Sequence, residues 1–278
     1  MKMRVPLVVM TVLGLVSPAG AGNWYVATNG VGAPGTNWST AFQAPQAGFN
    51  AARTGDTVHV AGHTFNLTQQ IEWTNRLQNI TVRGGYAATN DLPLPGPRNP
   101  SRWPTVFRIV TTNQWVMLID RVTTGTLDSV TITGARYGLA AARQGGGVFI
   151  SSCAGLTMIS CAVTDNWIES STWGVGSYGG GIFTDNTTLI LTNCVVAYNR
   201  TRLSGYNWAY GAGIYGQGAG WIQLTGCELT GNWLTSGNAA PGSALNATCP
   251  VQMRNCLVRG NTADGGGGYG AVYLGAGG

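Results

Sequence analysis

The chain has 278 residues with 15 Lys+Arg against 10 Asp+Glu, and only 9% of it is charged, where an average soluble domain carries roughly 25%. Its surface must therefore be made from amides and hydroxyls. The arginines form no patch, which argues against nucleic acid as a partner.

The first element is a leader. Lys2 and Arg4 precede an apolar run from Val5 to Val16, followed by Ser17-Pro18-Ala19-Gly20-Ala21. A charged start, a short apolar core and an A-x-A site predict a secretory signal peptide over 1–21, cut after Ala21. Beyond it no segment offers the about 20 unbroken apolar residues of a spanning helix. Cleavage removes Lys2, the only lysine, together with Arg4, leaving 13 arginines against 10 acids and a net charge of +3. An exported protein is expected, secreted or held at the cell surface.

The strongest signal is a repeat. Cys161, Cys194, Cys227 and Cys256 are spaced by 33, 33 and 29 residues. Five positions before them stand Leu156, Leu189, Ile222 and Val251, and three before stand Met158, Leu191, Leu224 and Met253. Two positions after come Val163, Val196, Leu229 and Val258, and five after come Asn166, Asn199, Asn232 and Asn261. An earlier, degenerate copy is expected at Val130, Ile132, Ala135 and Tyr137, with Ala140 in place of the asparagine. Apolar and polar residues alternate within each copy, as in half-buried strands. A second strand signal follows each loop, as in Gly-Gly-Gly-Val-Phe-Ile (145–150), Gly-Gly-Gly-Ile-Phe (179–183) and Gly-Ala-Gly-Ile-Tyr (211–215). Short strands with one coil per repeat predict an all-β fold, a parallel β-solenoid whose coils stack at about 4.8 Å.

The segments L-T-N-C-V-V-A-Y-N (191–199) and N-C-L-V-R-G-N-T-A (255–263), with the glycine strings after them, resemble secreted right-handed parallel β-helix proteins of bacteria. These form the pectate-lyase-like superfamily, and the polymorphic outer-membrane-protein and autotransporter-passenger branch is the most similar. W-Y-V-A-T-N-G (24–30), N-W-S-T-A-F-Q (37–43) and the strand at Gly55–Val60 resemble the start of the same proteins. The resemblance implies a right-handed parallel β-helix with a short N-terminal capping helix within Phe42–Arg53, and an early coil at Ile80–Tyr86. It implies a bacterial envelope as the location. The expected layout is a signal peptide at 1–21, cap and first coils at 22–126, and β-helix coils at 127–278. A bare last coil would expose strand edge and core, so a truncated C-terminus, with a further module or capping partner, is expected.

The cysteines are too far apart for a zinc site, which wants pairs at short spacing. Cys161, Cys194, Cys227 and Cys256 read as a buried thiol column, whereas Cys153 and Cys249 stand outside it as disulfide candidates. Asn166, Asn199, Asn232 and Asn261 read as a structural ladder at one turn, where asparagine tolerates left-handed backbone and stacked amides bond to one another.

Function is sought in the loops that follow. Trp167, Arg200, Trp233 and Thr262 succeed the ladder, placing an arginine between two tryptophans. Trp173, Tyr178, Tyr206, Trp208 and Tyr210 add to the same side. Aromatic rings among amides suit sugar, since ring faces stack and amides bond hydroxyls. The competing reading is that the loops pack on one another as small local cores. Acid–base catalysis finds little support: no D-D or D-x-D pair occurs, and Asp165 with Glu169 is the best carboxylate pair for the two that glycoside hydrolysis needs. No cofactor or metal is expected, calcium entering only for a lyase. The expected function is a non-catalytic surface, adhesion or glycan-binding protein with a polysaccharide or cell-surface glycan as partner. The alternative is a polysaccharide lyase or glycoside hydrolase whose catalytic residues lie in further C-terminal coils.

Overall fold

The computed structural model describes residues 20–74, 79–91, 93–138, 143–170, 176–203, 208–237, 240–265 and 270–275. Three long parallel sheets of eight, seven and seven strands run the length of the molecule, seven coils giving one strand to each and Asn23–Val26 adding the eighth strand to the first. Successive coils pair in register, as Leu156, Leu189, Ile222 and Val251 do in the eight-stranded sheet. A further sheet of five strands and one of three lie in the region of the long loops.

The parallel arrangement follows from the side-chain pattern. Each strand sends alternate residues inward, so Leu189, Leu191, Val196 and Ile182 are fully buried in one coil. Their counterparts above and below are aliphatic too, and the columns merge into one continuous core. Trp73 is the exception in size: it is fully buried, and a Cβ on Gly125 would sit 2.3 Å from its ring, so the next coil yields the space.

The first coil is closed by the expected helix, which spans Pro45–Ala51. Proline opens it, where its missing N–H is no loss. Phe49 is fully buried, edge-on to Trp73 at 5.8 Å. Beside the cap, Tyr25, Trp38 and Tyr86 form a smaller cluster around His59. His59 Nε2 donates to Asn23 Oδ1 at 2.8 Å, while its buried Nδ1 has no partner.

In the four repeats, the corner before the cysteine and the corner before the asparagine each use a residue with positive φ. Ser160, Asn193, Gly226 and Asn255 precede the four column cysteines with φ of 50° to 64°. Asp165, Tyr198, Gly231 and Gly260 precede the four ladder asparagines with φ of 55° to 62°. The left-handed residue is thus the one before each asparagine, which corrects the sequence expectation. The asparagine itself is free to bond along the axis. Asn199 donates its backbone N–H and its Nδ2 to Asn232 Oδ1 at 3.1 and 3.0 Å, and Nδ2 also donates to Val163 O at 2.9 Å. Its own Oδ1 accepts from Asn166 N and Nδ2 at 3.2 and 3.1 Å. The ladder runs Asn166, Asn199, Asn232, Asn261 and begins on Ala135, whose N–H donates to Asn166 Oδ1. Ala135, not Ala140, therefore occupies the asparagine position of the degenerate copy. The glycine strings make room for these amides: a Cβ on Gly181 would lie 2.8 Å from Asn199 Cγ and 2.6 Å from Gly213 O.

The cysteines form a second, parallel ladder. Cys194 Sγ lies 3.3 Å from Met158 O of the preceding coil, and Cys161, Cys227 and Cys256 reach Leu127, Leu191 and Leu224 in the same way. The column thiols are buried, apart from the half-buried Cys256, and every cysteine of the chain is free. Cys153 and Cys249 stand in coils three steps apart, about 14 Å at the strand spacing, too far for a disulfide between them.

Removing one amide from mid-ladder orphans several buried groups, each worth about 1–3 kcal/mol. Asn199→Ala should therefore lower stability by at least about 3 kcal/mol in urea unfolding. Asn261→Ala, at a half-exposed end, should cost clearly less.

His59 gives a pH signature. Burial, and then the charges of Arg83 and Arg98, push its pKa down to about 4. Its unfolded value is near 6.5, so the stability it contributes is present above 6.5 and lost as pH falls towards 4. The loss should reach about 3 kcal/mol, and His59→Phe should flatten that part of a stability–pH curve.

Candidate functional site

The five-stranded sheet carries the site. Its strands Arg136–Gly138, Trp167–Ser170, Arg200–Leu203, Trp233–Thr235 and Thr262–Asp264 pair in parallel, each starting immediately after the ladder position. Because Asn166, Asn199 and Asn232 fix this corner, the next residues are in strict register: Arg136, Trp167, Arg200, Trp233, Thr262. The following residues, Ile168, Thr201 and Leu234, are fully buried. The next outward column reads Gly138, Glu169, Arg202, Thr235, Asp264.

The outcome is a stack of alternating cations and rings. The Arg136 guanidinium carbon lies 4.4 Å from the Trp167 ring centroid, that of Arg200 4.4 Å from Trp167 and 4.7 Å from Trp233. Arg136 also pairs with Asp165 at 2.7 Å, and Trp233 Nε1 donates to Asp264 Oδ2 at 2.8 Å. Arg200 has no carboxylate within ion-pair range among the described residues; both of its faces lie on indoles. Trp167 is covered on both sides by guanidinium groups, so its edge faces outward, and its shielded Nε1 lacks a partner. A groove of about 490 Å³ runs along the stack, lined by Trp167, Ile168, Glu169, Arg200, Arg202, Trp233 and Thr235. Glu169 and Arg202 close one side of it through a 2.6 Å ion pair.

The other loop aromatics are placed elsewhere. Tyr178 and Tyr210 stack at 5.4 Å with rings nearly parallel, and Trp208 continues the column over Tyr210 at 6.3 Å. Tyr178 and Tyr210 lean on Tyr215, the last of an outward-facing ladder Phe149–Phe183–Tyr215 that is half-buried at Phe149 and buried at the other two. These tyrosines seal the outside of a long sheet, and Leu203, Ala209, Ala212, Leu234 and Ala240 form a small core next to them. Trp208 is half exposed. The aromatic residues thus divide into a cation–ring stack and a packed tyrosine column, not one surface. Trp173 and Tyr206 lie outside the described residues.

Asp165 and Glu169 are each held by an arginine, Arg136 and Arg202, with side chains 52% and 51% exposed. Both are solvated ion-pair partners. Among the described residues no group of three or more His, Cys, Asp or Glu is arranged to hold a metal ion.

Sequence reasoning missed Arg136, Arg202, Ile168 and Thr235. Arg136 was hidden by the five-residue misplacement of the degenerate copy: with Ala135 in the asparagine position, Arg136 falls into the column beneath Trp167. Arg202 and Thr235 follow from the same register two residues on.

The family described as right handed beta helix region matches residues 116–278. The chain belongs to the right-handed β-helix family. No curated protein and no solved structure matches it.

The two cation–π contacts of Arg200 should each contribute about 1 kcal/mol at a half-buried site, whereas the exposed Arg202–Glu169 pair should contribute about 0–1. Thermal unfolding of Arg200→Ala should therefore fall below that of Arg202→Ala, and Arg200→Lys should not restore it, since an ammonium lacks the planar face.

Proposed function

We propose that this β-helix is an exported, non-catalytic protein that binds glycans at a cell surface or in an extracellular matrix. The carrying observation is the groove along Trp167, Arg200 and Trp233, which combines apolar ring edges with hydrogen-bond donors and acceptors in one strip. A sugar ring has the matching mixture, with C–H patches on its faces and hydroxyls around its rim. Trp233 contributes an open face, because the next residue in its column is the small Thr262, while Arg200 presents the donor edge of its guanidinium. Glu169, Arg202 and Thr235 supply further groups for hydroxyls.

The leader sequence at 1–21 supports export, and the sparse charge supports a surface that interacts by hydrogen bonds. The solenoid supports extended ligands, since its columns repeat along one axis.

A glycan array with the wild-type chain should show polysaccharide binding that Trp233→Ala and Arg200→Ala each reduce at least tenfold, about 1.4 kcal/mol. Trp208→Ala, on the tyrosine column, should leave it within about twofold. Binding that survives both groove variants would remove the groove from the reading.

A further inference from the structure

The N-terminal strand holds a feature that the glycan groove does not use. Gly22 N–H donates to Asp56 Oδ1 at 2.6 Å, while Asp56 Oδ2 accepts from Trp24 Nε1 at 2.7 Å and from Arg53 N–H at 2.8 Å. Asp56 is 6% exposed. Gly22 is fixed from its other side too, since Thr57 N–H donates to Gly22 O at 2.9 Å. A Cβ on residue 22 would fall 3.1 Å from both carboxylate oxygens, so a side chain there would press on the hydrogen-bonded carboxylate. Immediately before it, Gly20 and Ala21 are exposed, and a Cβ on Gly20 would meet nothing. A cleft of about 540 Å³ lined by Gly20, Gly22, Trp24, Ala51, Arg53, Thr54 and Asp56 opens there.

The predicted leader junction is the bond between Ala21 and Gly22. A nearly buried carboxylate therefore lies in contact with the one nitrogen that processing would turn into an ammonium. We propose that the chain is cut between Ala21 and Gly22 and that the α-ammonium released on Gly22 pairs with Asp56, fastening the first strand to the second. In the cut, a peptidase adds water across the amide: the carboxylate stays on Ala21, and the Gly22 nitrogen takes up the proton. A neutral N–H donor becomes a charged one, and charge-assisted bonds of this kind are shorter and roughly twice as strong. The latch ties Asn23–Val26 to Thr57–Ala61 at the end where the helix closes the core. Its energy becomes available only after the leader has gone, which favours completing the cap after export.

Electrostatics around the site agree. Burial alone would raise the Asp56 pKa, but hydrogen bonds from Trp24, Arg53 and Gly22 and the charge of Arg53 leave it lowered. Arg53 is the charged group facing Asp56 from the end of the helix. The amine in turn should be held above its ordinary value near 8. The pair's stabilisation is therefore present between the range where the carboxylate ionises and about pH 8, and is lost as pH rises through the raised amine pKa.

The test uses the full chain, exported from a bacterial host with its own leader. Intact mass of the purified protein gives its first residue. Because Lys2 is the only lysine, a chain that starts at Gly22 has a single primary amine, and reductive ¹³C-methylation followed by NMR titration reads that amine alone. A mass beginning at Gly22 is expected, with an amine pKa at least about one unit above 8, falling back towards 8 in Asp56→Asn. A different first residue, an uncut chain, or a wild-type amine titrating near 8 would overturn the proposal. Should Asp56→Asn not fold, the wild-type mass and titration still decide.

Discussion

The structure depends on one constraint: every coil must be held in register with the next, and the buried asparagine amides do this. Main-chain hydrogen bonds between parallel strands tie neighbouring coils, but by themselves they leave the corners undefined. Asn199, Asn232 and Asn261 each place a side-chain acceptor against two donors of the coil before, and Asn166 against the Ala135 N–H, at a corner where the backbone has just turned through a left-handed residue. The amides of Asn166, Asn199 and Asn232 are buried, so leaving one unpaired is costly. The glycines opposite are dictated by the same constraint, since a side chain at Gly181 would collide with Asn199. The thiol column performs a similar task at a second corner with weaker donors, capping carbonyls of the preceding coil. Burial raises the Cys153 pKa, and the neighbouring Cys161 with burial pushes Cys194 up to about 12. These are structural thiols, not nucleophiles.

From that register the candidate site follows directly. The residue after each asparagine leaves the corner pointing outward, and its vertical neighbours one coil away are fixed by the ladder. Cation–ring stacking needs the cation within about 6 Å of the ring centroid, which the spacing of strands in a sheet, about 4.8 Å, satisfies. The solenoid therefore supplies the geometry at no extra cost in ordering, and four consecutive residues of one column can form a continuous stack.

Much of the fold was legible because periodicity exposes it. The apolar columns, the cysteines and the asparagines each recur at one spacing, and residues in one column share one environment. The site was legible only in part. Trp167, Arg200 and Trp233 stood next to the ladder and could be stacked on paper. The tyrosines could not be assigned, because their positions depend on loops of unequal length that fold back over a sheet. Tyr178 looked like Trp167 in composition, yet it covers Tyr215 and seals the sheet's outer surface. In the degenerate copy no asparagine or cysteine marked the register, so nothing in the local pattern distinguished Ala135 from Ala140. Arg136 was lost with it. The Gly22–Asp56 contact left no pattern at all, since it joins residues 34 apart across two strands that share no repeat.

The alternation of Arg136, Trp167, Arg200 and Trp233 has a consequence for how such a chain counts its own turns. Repeats of nearly equal length can be skipped during folding: a coil looped out as a whole leaves every aliphatic, thiol and amide column still matched with its like. The aliphatic core is blind to that error. The outward column is not, because its parity changes. Omitting the coil of Trp167 would set Arg136 directly against Arg200, two guanidinium groups at one strand spacing. Omitting that of Arg200 would set one indole on another and strand the guanidinium that each expects. A surface stack that touches none of the core thus distinguishes the complete winding from one with a missing turn.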